Sequence, residues 1–305
     1  MAEIKVYTIG YTGHSFQNWA NLGDDIQTVA AKRLLPQVDG YISREALSEA
    51  EESGVISLNG FFLGEGSWPP SGSLEPFFYA FHIAAHSQEK VCSAEGLRYL
   101  RKYQPIGCRD RGTMDLLAKH GIEAFYSKCV SLTFEKRQKD PDEGVVFLVG
   151  LSKAAESVVP RKIRERAVVV DQPKLRLPSL SHETREQLAE HLLDTYAKRA
   201  SLVITSKIHC AMPCIAMGIP VVFLYDKSKK NDYRVEIIRD FIGINYVDDS
   251  WVARKITNRF KGGKIDWSPG ALDIEKEKEL IRSGYLREFQ KALDRFSERT
   301  LPCPS

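Results

Sequence analysis

The sequence predicts an α/β protein with two Rossmann-like parallel-sheet domains that face a cleft. Predicted strands and helices alternate along almost the whole chain of 305 residues, which is typical of parallel α/β folds. A charged stretch with proline and glycine at 135–144 has the composition of a linker. The apolar segment 145–149 restarts the pattern, as expected for a strand buried on both faces. We therefore expect an N-terminal domain over 1–138 and a C-terminal domain, which includes a long final helix, over 144–305.

In the first half, short apolar runs bounded by turn-forming residues predict strands, and apolar residues at helical spacing predict helices. Ser93 is suited to cap the second of these helices, and Gly121 is suited to end the third. The predicted strands are 4–11, 41–43, 55–62, 77–83, 105–108 and 122–127, and the predicted helices are 24–35, 93–104 and 113–120.

The second half continues this alternation. Leu188, Leu192 and Leu193 mark the buried side of an amphipathic helix over 182–199. Strands are predicted at 145–149 and 167–170, from Leu202 onward and at 220–225, with helices at 234–241 and 275–299. Because ligands bind at the carboxyl ends of strands in open parallel sheets, we expect both halves to contribute residues to the shared cleft.

Composition excludes several classes of protein. The net charge of +3 is small for this length, and no basic stripe is interleaved with aromatic residues, so we expect no nucleic-acid partner. We expect no integral membrane segment, because the longest apolar run is interrupted by prolines and a glycine. The first residues do not follow the pattern of a secretory signal, and the six cysteines form no CxxC pair. Both observations favour reduced thiols and a cytoplasmic location.

The stretch 202–220 contains the strongest functional signal. Lys207 and His209 lie at the junction between a buried strand and a short helix, where unpaired backbone N–H groups attract anions. Pro213 fits only the first turn of such a helix, and Gly218 is suited to end it. A small anionic substrate is therefore expected here. The alternative is that His209 merely caps a helix in an ordinary α/β unit.

The cysteines beside this junction raise a separate question. Cys210 and Cys214 lie one helical turn apart next to His209, which is a conceivable metal site. Small residues that pack a helix against a sheet explain the same pattern more simply, and we expect no metal.

Two strand ends in the first half offer further candidates. Asn21, Gly23 and Asp24 open the first helix and are suited either to contact a ligand or to cap that helix. Arg109 directly follows a short strand, where its planar guanidinium suits a carboxylate or a phosphate. The alternative for Arg109 is a structural ion pair with Asp110 or Asp24.

Other candidates carry weaker signals. His82 ends an apolar strand and faces either the cleft or the core, where histidines are more often found. Aromatic residues at 59–62 and 68–71 flank a long loop and suit either a sugar face or simple packing. The sequence contains no Gly-x-Ser-x-Gly, no His-Glu-x-x-His and no phosphate-binding loop, and the segment after the first strand lacks GxGxxG spacing.

Three segments resemble one known family. They are Asn21-Leu-Gly-Asp-Asp-Ile-Gln, the pair Pro105-Ile-Gly-Cys-Arg-Asp-Arg-Gly-Thr and Cys129-Val-Ser-Leu-Thr, and Val203-Ile-Thr-Ser-Lys-Ile-His-Cys-Ala-Met-Pro with Gly218-Ile-Pro-Val. In this order they resemble the polysaccharide pyruvyl transferases. The resemblance implies a GT-B-like fold. It also implies transfer of a pyruvyl group from phosphoenolpyruvate to a pair of sugar hydroxyls, which gives a cyclic ketal on a polysaccharide or glycan precursor.

The resemblance also implies roles for individual residues. His209 matches the histidine expected to act as general acid, and Arg109 matches the arginine expected on the anionic groups of the donor. Lys207 stands where the family usually has arginine, so it keeps the charge and loses the bidentate fork. The same motifs place substrate-binding residues at Ser206, Lys207, Asn21, Gly23 and Asp24, with His82 added from its strand end. This chemistry needs no metal and no redox cofactor.

Two alternative functions stay open. One is a GT-B-type glycosyltransferase that uses a nucleotide sugar. The other is a non-catalytic relative that binds a glycan or an anion, which the lysine at position 207 keeps open. The sequence does not identify the acceptor sugar or the base that activates its hydroxyl.

Overall fold

The computed structural model describes residues 3–11, 21–62, 66–172, 180–248 and 263–300. The first half forms a six-stranded sheet with the strand order β2-β1-β3-β4-β5-β6, in which neighbouring strands are parallel. Its strands are β1 (Val6–Gly10), β2 (Gly40–Ser43), β3 (Gly54–Phe62), β4 (Leu74–Ile83), β5 (Ile106–Cys108) and β6 (Ala124–Tyr126).

The second half forms a five-stranded parallel sheet with the order β11-β10-β9-β7-β8. Its strands are β7 (Val145–Val149), β8 (Val168–Val170), β9 (Ala200–Thr205), β10 (Val221–Asp226) and β11 (Ile244–Val247). The predicted fold class, two Rossmann-like parallel-sheet domains that face a cleft, is confirmed. Strand β11 was not expected from the sequence, because its alternation of apolar and polar residues is short and half-exposed.

Helices connect the strands of both sheets. They are α1 (Leu22–Leu34), α2 (Gln88–Val91), α3 (Ala94–Lys102), α4 (Arg111–Lys119), α5 (Lys153–Val158), α6 (Arg161–Arg164), α7 (His182–Arg199), α8 (Ile208–Ala216) and α9 (Glu275–Thr300). The expected cap is present at α3, where the hydroxyl of Ser93 accepts a hydrogen bond from the Gly96 N–H at 3.1 Å. The helix predicted at 234–241 is instead a 3-10 segment, Tyr233–Asp240. None of the helices within the described ranges is long and apolar enough to cross a bilayer.

The two halves share one apolar core. A single buried cluster includes Ile26 and Val29 of α1, Leu132 of the 3-10 turn Val130–Thr133, and Met212 and Ile215 of α8. Helices α1 and α8 therefore bury their apolar faces against each other across the boundary between the halves. This packing places the start of each helix at the mouth of the cleft.

The final helix returns to the first sheet. The ring of Tyr285 in α9 packs edge-on against Phe77 of β4 at a centroid distance of 5.1 Å, and its hydroxyl donates to Ser57 of β3 at 2.8 Å. Arg295 pairs with Glu75 at 2.6 Å. Although α9 follows the second sheet in sequence, it covers a face of the first. The domain boundaries at 138 and 144 stay a prediction.

A buried ion pair joins the halves beside the cleft. Asp25 of α1 and Arg185 of α7 form two hydrogen bonds of 2.9 Å, and both residues are about one-twentieth exposed (6% and 5%). Burial raises the pKa of Asp25 to about 6, although the hydrogen bonds from Arg185 oppose this rise. Removing one partner would leave an unpaired charge in a dry interface, which is strongly destabilising.

We expect Arg185→Ala to lower the free energy of unfolding by about 3–5 kcal/mol, measured by chemical denaturation. The loss should be smaller at pH 5 than at pH 7. A carboxyl whose pKa is raised by folding destabilises the folded state increasingly as the pH rises toward that pKa. Loss of Arg185 raises the pKa of Asp25 further, so the variant loses more stability at pH 7 than at pH 5.

The matched control is Glu190→Ala. Glu190 pairs with Arg33 between the same two helices, but both side chains are about half exposed (44% and 51%). Loss of the Glu190 side chain should lower the free energy of unfolding by no more than about 1 kcal/mol. Equal losses for the two variants would contradict the importance of the buried pair.

Candidate active site

A cavity of about 520 Å³ lies between the two halves, at the carboxyl ends of their strands. Cationic side chains outnumber the two carboxyls in its lining, those of Asp24 and Asp226, which suits an anionic ligand in a concave site. Seven of the eight predicted site residues line it: Asn21, Gly23, Asp24, Arg109, Ser206, Lys207 and His209. Its arginines and lysines are Arg44, Arg109, Lys207, Lys229 and Arg234.

Arg109 and His209 approach each other across this cavity. The Nη1 of Arg109 lies 3.4 Å from the Nε2 of His209, although the residues come from different halves of the chain. Since a guanidinium can only donate, His209 accepts at Nε2, and a neutral ring then carries its proton on Nδ1. Arg109 is 1% exposed, and its Nη1 also donates to the Gln27 side chain at 3.2 Å. The two strand ends thus meet at one point.

The imidazole of His209 is neutral in the unliganded site. Burial lowers its pKa well below the ordinary value, and the positive charge of Arg109 lowers it further. A protonated His209 therefore requires negative charge nearby. A bound anion between His209 and Arg109 supplies that charge.

His82 lies behind Arg109 and does not line the cavity. The side chains of His82 and Asp110 are fully buried, with Nδ1 of His82 at 2.6 Å from Oδ2 of Asp110. Burial lowers the pKa of His82 to about 4, and Arg109 contributes to this shift. Its ring is enclosed in the core of the first sheet, and a role of His82 in substrate binding stays a prediction.

Asp110 holds Arg109 from below the cavity floor. Its carboxylate lies 3.8 Å from Nε of Arg109, and it caps α4 by accepting from the Thr113 N–H at 2.8 Å. Burial alone would raise the pKa of Asp110, but the hydrogen bond from His82 and the charge of Arg109 outweigh it, so the pKa is lowered. The structural pair of Arg109 with Asp110 that the sequence left open is thus present, and Arg109 still lines the cavity.

The start of α1 serves both as a helix cap and as a cavity wall. The Oδ1 of Asn21 accepts from the Gly23 N–H at 3.2 Å, and its Nδ2 donates to Asp24 at 3.1 Å. A Cβ added to Gly23 would lie 3.4 Å from the Cβ of His209, so α1 approaches the histidine closely. Burial raises the pKa of Asp24, while the charges of Arg44 and two other arginines oppose this rise.

Lys207 is the N-cap residue of α8, and its stem lies on Gly150. A Cβ at Gly150 would come within 2.4 Å of the lysine Cε, and the φ of Gly150 is +56°. Only glycine satisfies both constraints. The cation is therefore held in the cavity wall by the turn after β7.

Helix α8 is interrupted in its first turn, at His209. His209 has φ −83° and ψ 19°, which is not helical. The sequence predicted Pro213 in the first turn of this helix, but it lies in the second. Helical geometry would pair the His209 carbonyl with the N–H of residue 213, which proline lacks. The side chain of Gln172 instead donates to this carbonyl at 3.1 Å.

Sequence reasoning missed Arg44, which is 2% exposed and lines the cavity. Arg44 directly follows β2, just as Arg109 directly follows β5, and that shared position was the available signal. Its Nε donates to Glu45 at 2.7 Å. The predicted aromatic rim is not formed by Trp68, which packs against Phe81 in the core at 6.2 Å; the side chains of residues 61 and 62 lie outside the described part.

The cysteines near the histidine lie in the core. Cys210 and Cys214 are free and completely buried. Within the described ranges, no group of three histidine, cysteine or acidic side chains is arranged to hold a metal ion.

The sequence model of the polysaccharide pyruvyl transferase family matches residues 21–228. The match covers more than half of the chain and includes every residue assigned to the site from the sequence. The chain therefore belongs to the polysaccharide pyruvyl transferase family, and the protein is an enzyme of this kind, for which the family implies a sugar or glycan acceptor.

Comparisons with other proteins give distant likenesses. A Klebsiella pneumoniae protein of uncharacterised function is 12% identical with a TM-score of 0.49, over 79% of this chain and 92% of that chain. A Listeria monocytogenes protein proposed to be a UDP-N-acetylglucosamine 2-epimerase is 11% identical with a TM-score of 0.44, over 100% of both chains. No curated protein sequence matches at a significant level.

The environment of His209 gives a direct prediction. In Arg109→Met the pKa of His209 should rise, because a nearby positive charge is removed while burial remains. NMR titration of labelled histidine rings measures this change. The titration of His182 should not move, because burial and Arg185 govern its lowered pKa. An unchanged His209 titration would show that the two side chains do not interact in solution.

Proposed function

We propose that this enzyme transfers the pyruvyl group of phosphoenolpyruvate to two hydroxyls of a sugar and forms a cyclic ketal on a polysaccharide or glycan precursor. The observation that carries this proposal is the 3.4 Å approach of Arg109 to His209 in a cationic cavity between the halves. A proton donor and fixed cations beside one small cavity are what an enol ester with two anionic groups requires.

Several cationic side chains together bind the donor. Arg109 offers a planar fork to the carboxylate or the phosphate, and Lys207 offers a point charge from the second half. Arg44 adds a third cation at the end of β2. Because Asp110 and Gln27 hold the guanidinium of Arg109 before any ligand binds, little reorganisation accompanies donor binding.

His209 supplies the proton. A donor anion that accepts from Arg109 frees the histidine Nε2 and raises its pKa by its own negative charge. The protonated ring then transfers its proton to the methylene carbon of phosphoenolpyruvate, and positive charge builds on the adjacent carbon. A sugar hydroxyl attacks that carbon and loses its proton to a base. Phosphate then leaves with the C–O bonding electrons, and a second hydroxyl attacks the resulting cationic carbon and gives its proton to the released phosphate, which closes the ketal.

Asp24 is suited to accept the proton of the attacking hydroxyl. Its carboxyl lines the cavity, and burial raises its pKa, which strengthens it as a base. Asn21 donates to this carboxylate and fixes its orientation. Ser206 and Gly23 complete the adjoining wall, where a sugar would lie.

We also propose a cytoplasmic location, which the free thiols of the five described cysteines support. Phosphoenolpyruvate and the glycan precursor are the proposed partners, and the proposed reaction uses no metal or redox cofactor.

Pyruvyl transfer is tested by the mass gain of glycan acceptors incubated with phosphoenolpyruvate. His209→Gln should lower kcat by about 10²–10⁴-fold, because general acid catalysis contributes that much. Arg109→Lys should weaken donor binding, because lysine keeps the charge and loses the fork. His191→Gln, on the exposed face of α7, is the matched control and should retain full activity.

The wild type and the His209→Gln variant also distinguish the alternative functions. A thermal shift with nucleoside diphosphates and none with phosphoenolpyruvate would favour a nucleotide-sugar glycosyltransferase. Binding of phosphoenolpyruvate without product, together with indifference to His209→Gln, would favour a non-catalytic relative.

Asp24→Asn should lower kcat by about 10²–10⁴-fold and leave donor affinity nearly unchanged, because a general base acts after the donor has bound. In the wild type, activity should fall as the pH drops through the raised pKa of Asp24, and the variant should lose this acidic limb. Asp226→Asn, on the opposite wall of the cavity, is the control. An unaltered pH profile in Asp24→Asn would assign the base elsewhere.

A further inference from the structure

The backbone carbonyl of His209 is held from outside its own helix. Pro213, four residues later, has no N–H to donate, so the hydrogen-bond ladder of α8 has a gap at the histidine. The Nε2 of Gln172, which follows β8, fills the gap at 3.1 Å. A side chain from another part of the sheet therefore replaces the missing helical bond.

Gln172 contacts two further elements. Its own carbonyl accepts from the Leu22 N–H at the start of α1 at 3.3 Å, and its Oε1 accepts from the Tyr196 hydroxyl in α7 at 3.5 Å. Gln172 is 2% exposed, and a Cβ on Gly23 would lie 3.5 Å from its Nε2. One buried residue thus bonds to the histidine turn of the second half and to the opening turn of α1 in the first.

We propose that Gln172 is a positioning residue, which fixes the imidazole of His209 beside Arg109 by holding the His209 carbonyl and ties that turn to the start of α1. The proposal rests on the proposed function for the catalytic role of His209. Its physical basis is the non-helical ψ of 19° at His209. With its carbonyl released, this peptide can rotate, and the rotation displaces the ring from Nη1 of Arg109.

The first test uses Gln172→Met, which keeps the length of the side chain and removes its two side-chain hydrogen bonds, to the His209 carbonyl and from the Tyr196 hydroxyl. The kcat for pyruvyl transfer should fall by about 10- to 100-fold, the cost of misplacing a reacting group by about 1 Å. The KM for phosphoenolpyruvate should change little, because Arg109 and Lys207 are untouched. Gln172→Asn, which is too short to reach the carbonyl, should shift kcat in the same direction and is the milder variant.

Pro213→Ala supplies the matching rescue. Alanine restores the N–H that a helix would direct at the His209 carbonyl. In Gln172→Met/Pro213→Ala we therefore expect most of the lost kcat to return. A side chain that serves only to fill space at position 172 would not be replaced by an N–H at position 213.

A second readout needs no donor. Arg109, His82 and Arg234 are the charged or titratable groups that act on the His209 ring. If the ring moves away from Arg109 in Gln172→Met, its NMR titration in the unliganded protein should move up toward the ordinary value and return in the double variant. This measurement remains decisive even if phosphoenolpyruvate proves not to be the donor.

Gln104→Met is the control for both readouts, because Gln104 accepts a hydrogen bond from the Glu123 N–H at 2.9 Å on an exposed surface of the first half. It should change neither kcat nor the titration of His209. The proposal is overturned, and Gln172 is a packing residue, if Gln172→Met leaves kcat and the titration of His209 at their wild-type values. The same holds if the added Pro213→Ala substitution restores neither kcat nor this titration.

Discussion

The structure depends on the close contact between the start of α1 and the interrupted turn of α8. The two turns are in direct contact, because a Cβ on Gly23 would lie at van der Waals distance, 3.4 Å, from the Cβ of His209. The shared apolar core beneath the two helices and the buried pair of Asp25 with Arg185 hold them in register. The residues of the proposed chemistry lie where these two helices begin.

One row of four buried side chains determines the protonation states in the site. His82, Asp110, Arg109 and His209 follow one another from the core of the first sheet to the cavity wall. The single carboxylate of Asp110 compensates Arg109, and both imidazoles stay neutral because burial and the guanidinium lower their pKa values. The row itself is therefore balanced, and the positive charge available to the proposed anionic donor comes from the other cationic side chains of the cavity wall, such as Lys207 and Lys229.

The sequence predicted most of the fold because its signals were local. Apolar runs and caps such as Ser93 identified the strands and helices, and a position directly after a strand identified Arg109 and the Lys207-Ile208-His209 junction. The parallel-sheet rule then placed both at one cleft. The sequence left both the core and the cavity open for His82, because a position at a strand end does not distinguish them.

The remaining features depend on contacts between distant segments. Gln172 has no pattern of its own, and its importance comes from the missing N–H at Pro213, 41 positions away in sequence. Arg44 had the same strand-end position as Arg109, but the predicted strand before it was only three residues long. The 3-10 segment Tyr233–Asp240 packs against the first half, where the ring of Tyr233 lies over Gly112.

The return of α9 to the first sheet has a consequence for the order of synthesis and folding. Phe77 and Tyr79 of β4 pack against Tyr285 and Phe289 of α9, which follow both sheets in the sequence and are synthesised after them. Until then this face of the nascent first sheet lacks the packing of α9, although Phe125 of the first half also contacts Tyr79. The first sheet therefore completes its native packing only once the residues of α9 have been synthesised, so the two halves depend on each other for their final packing.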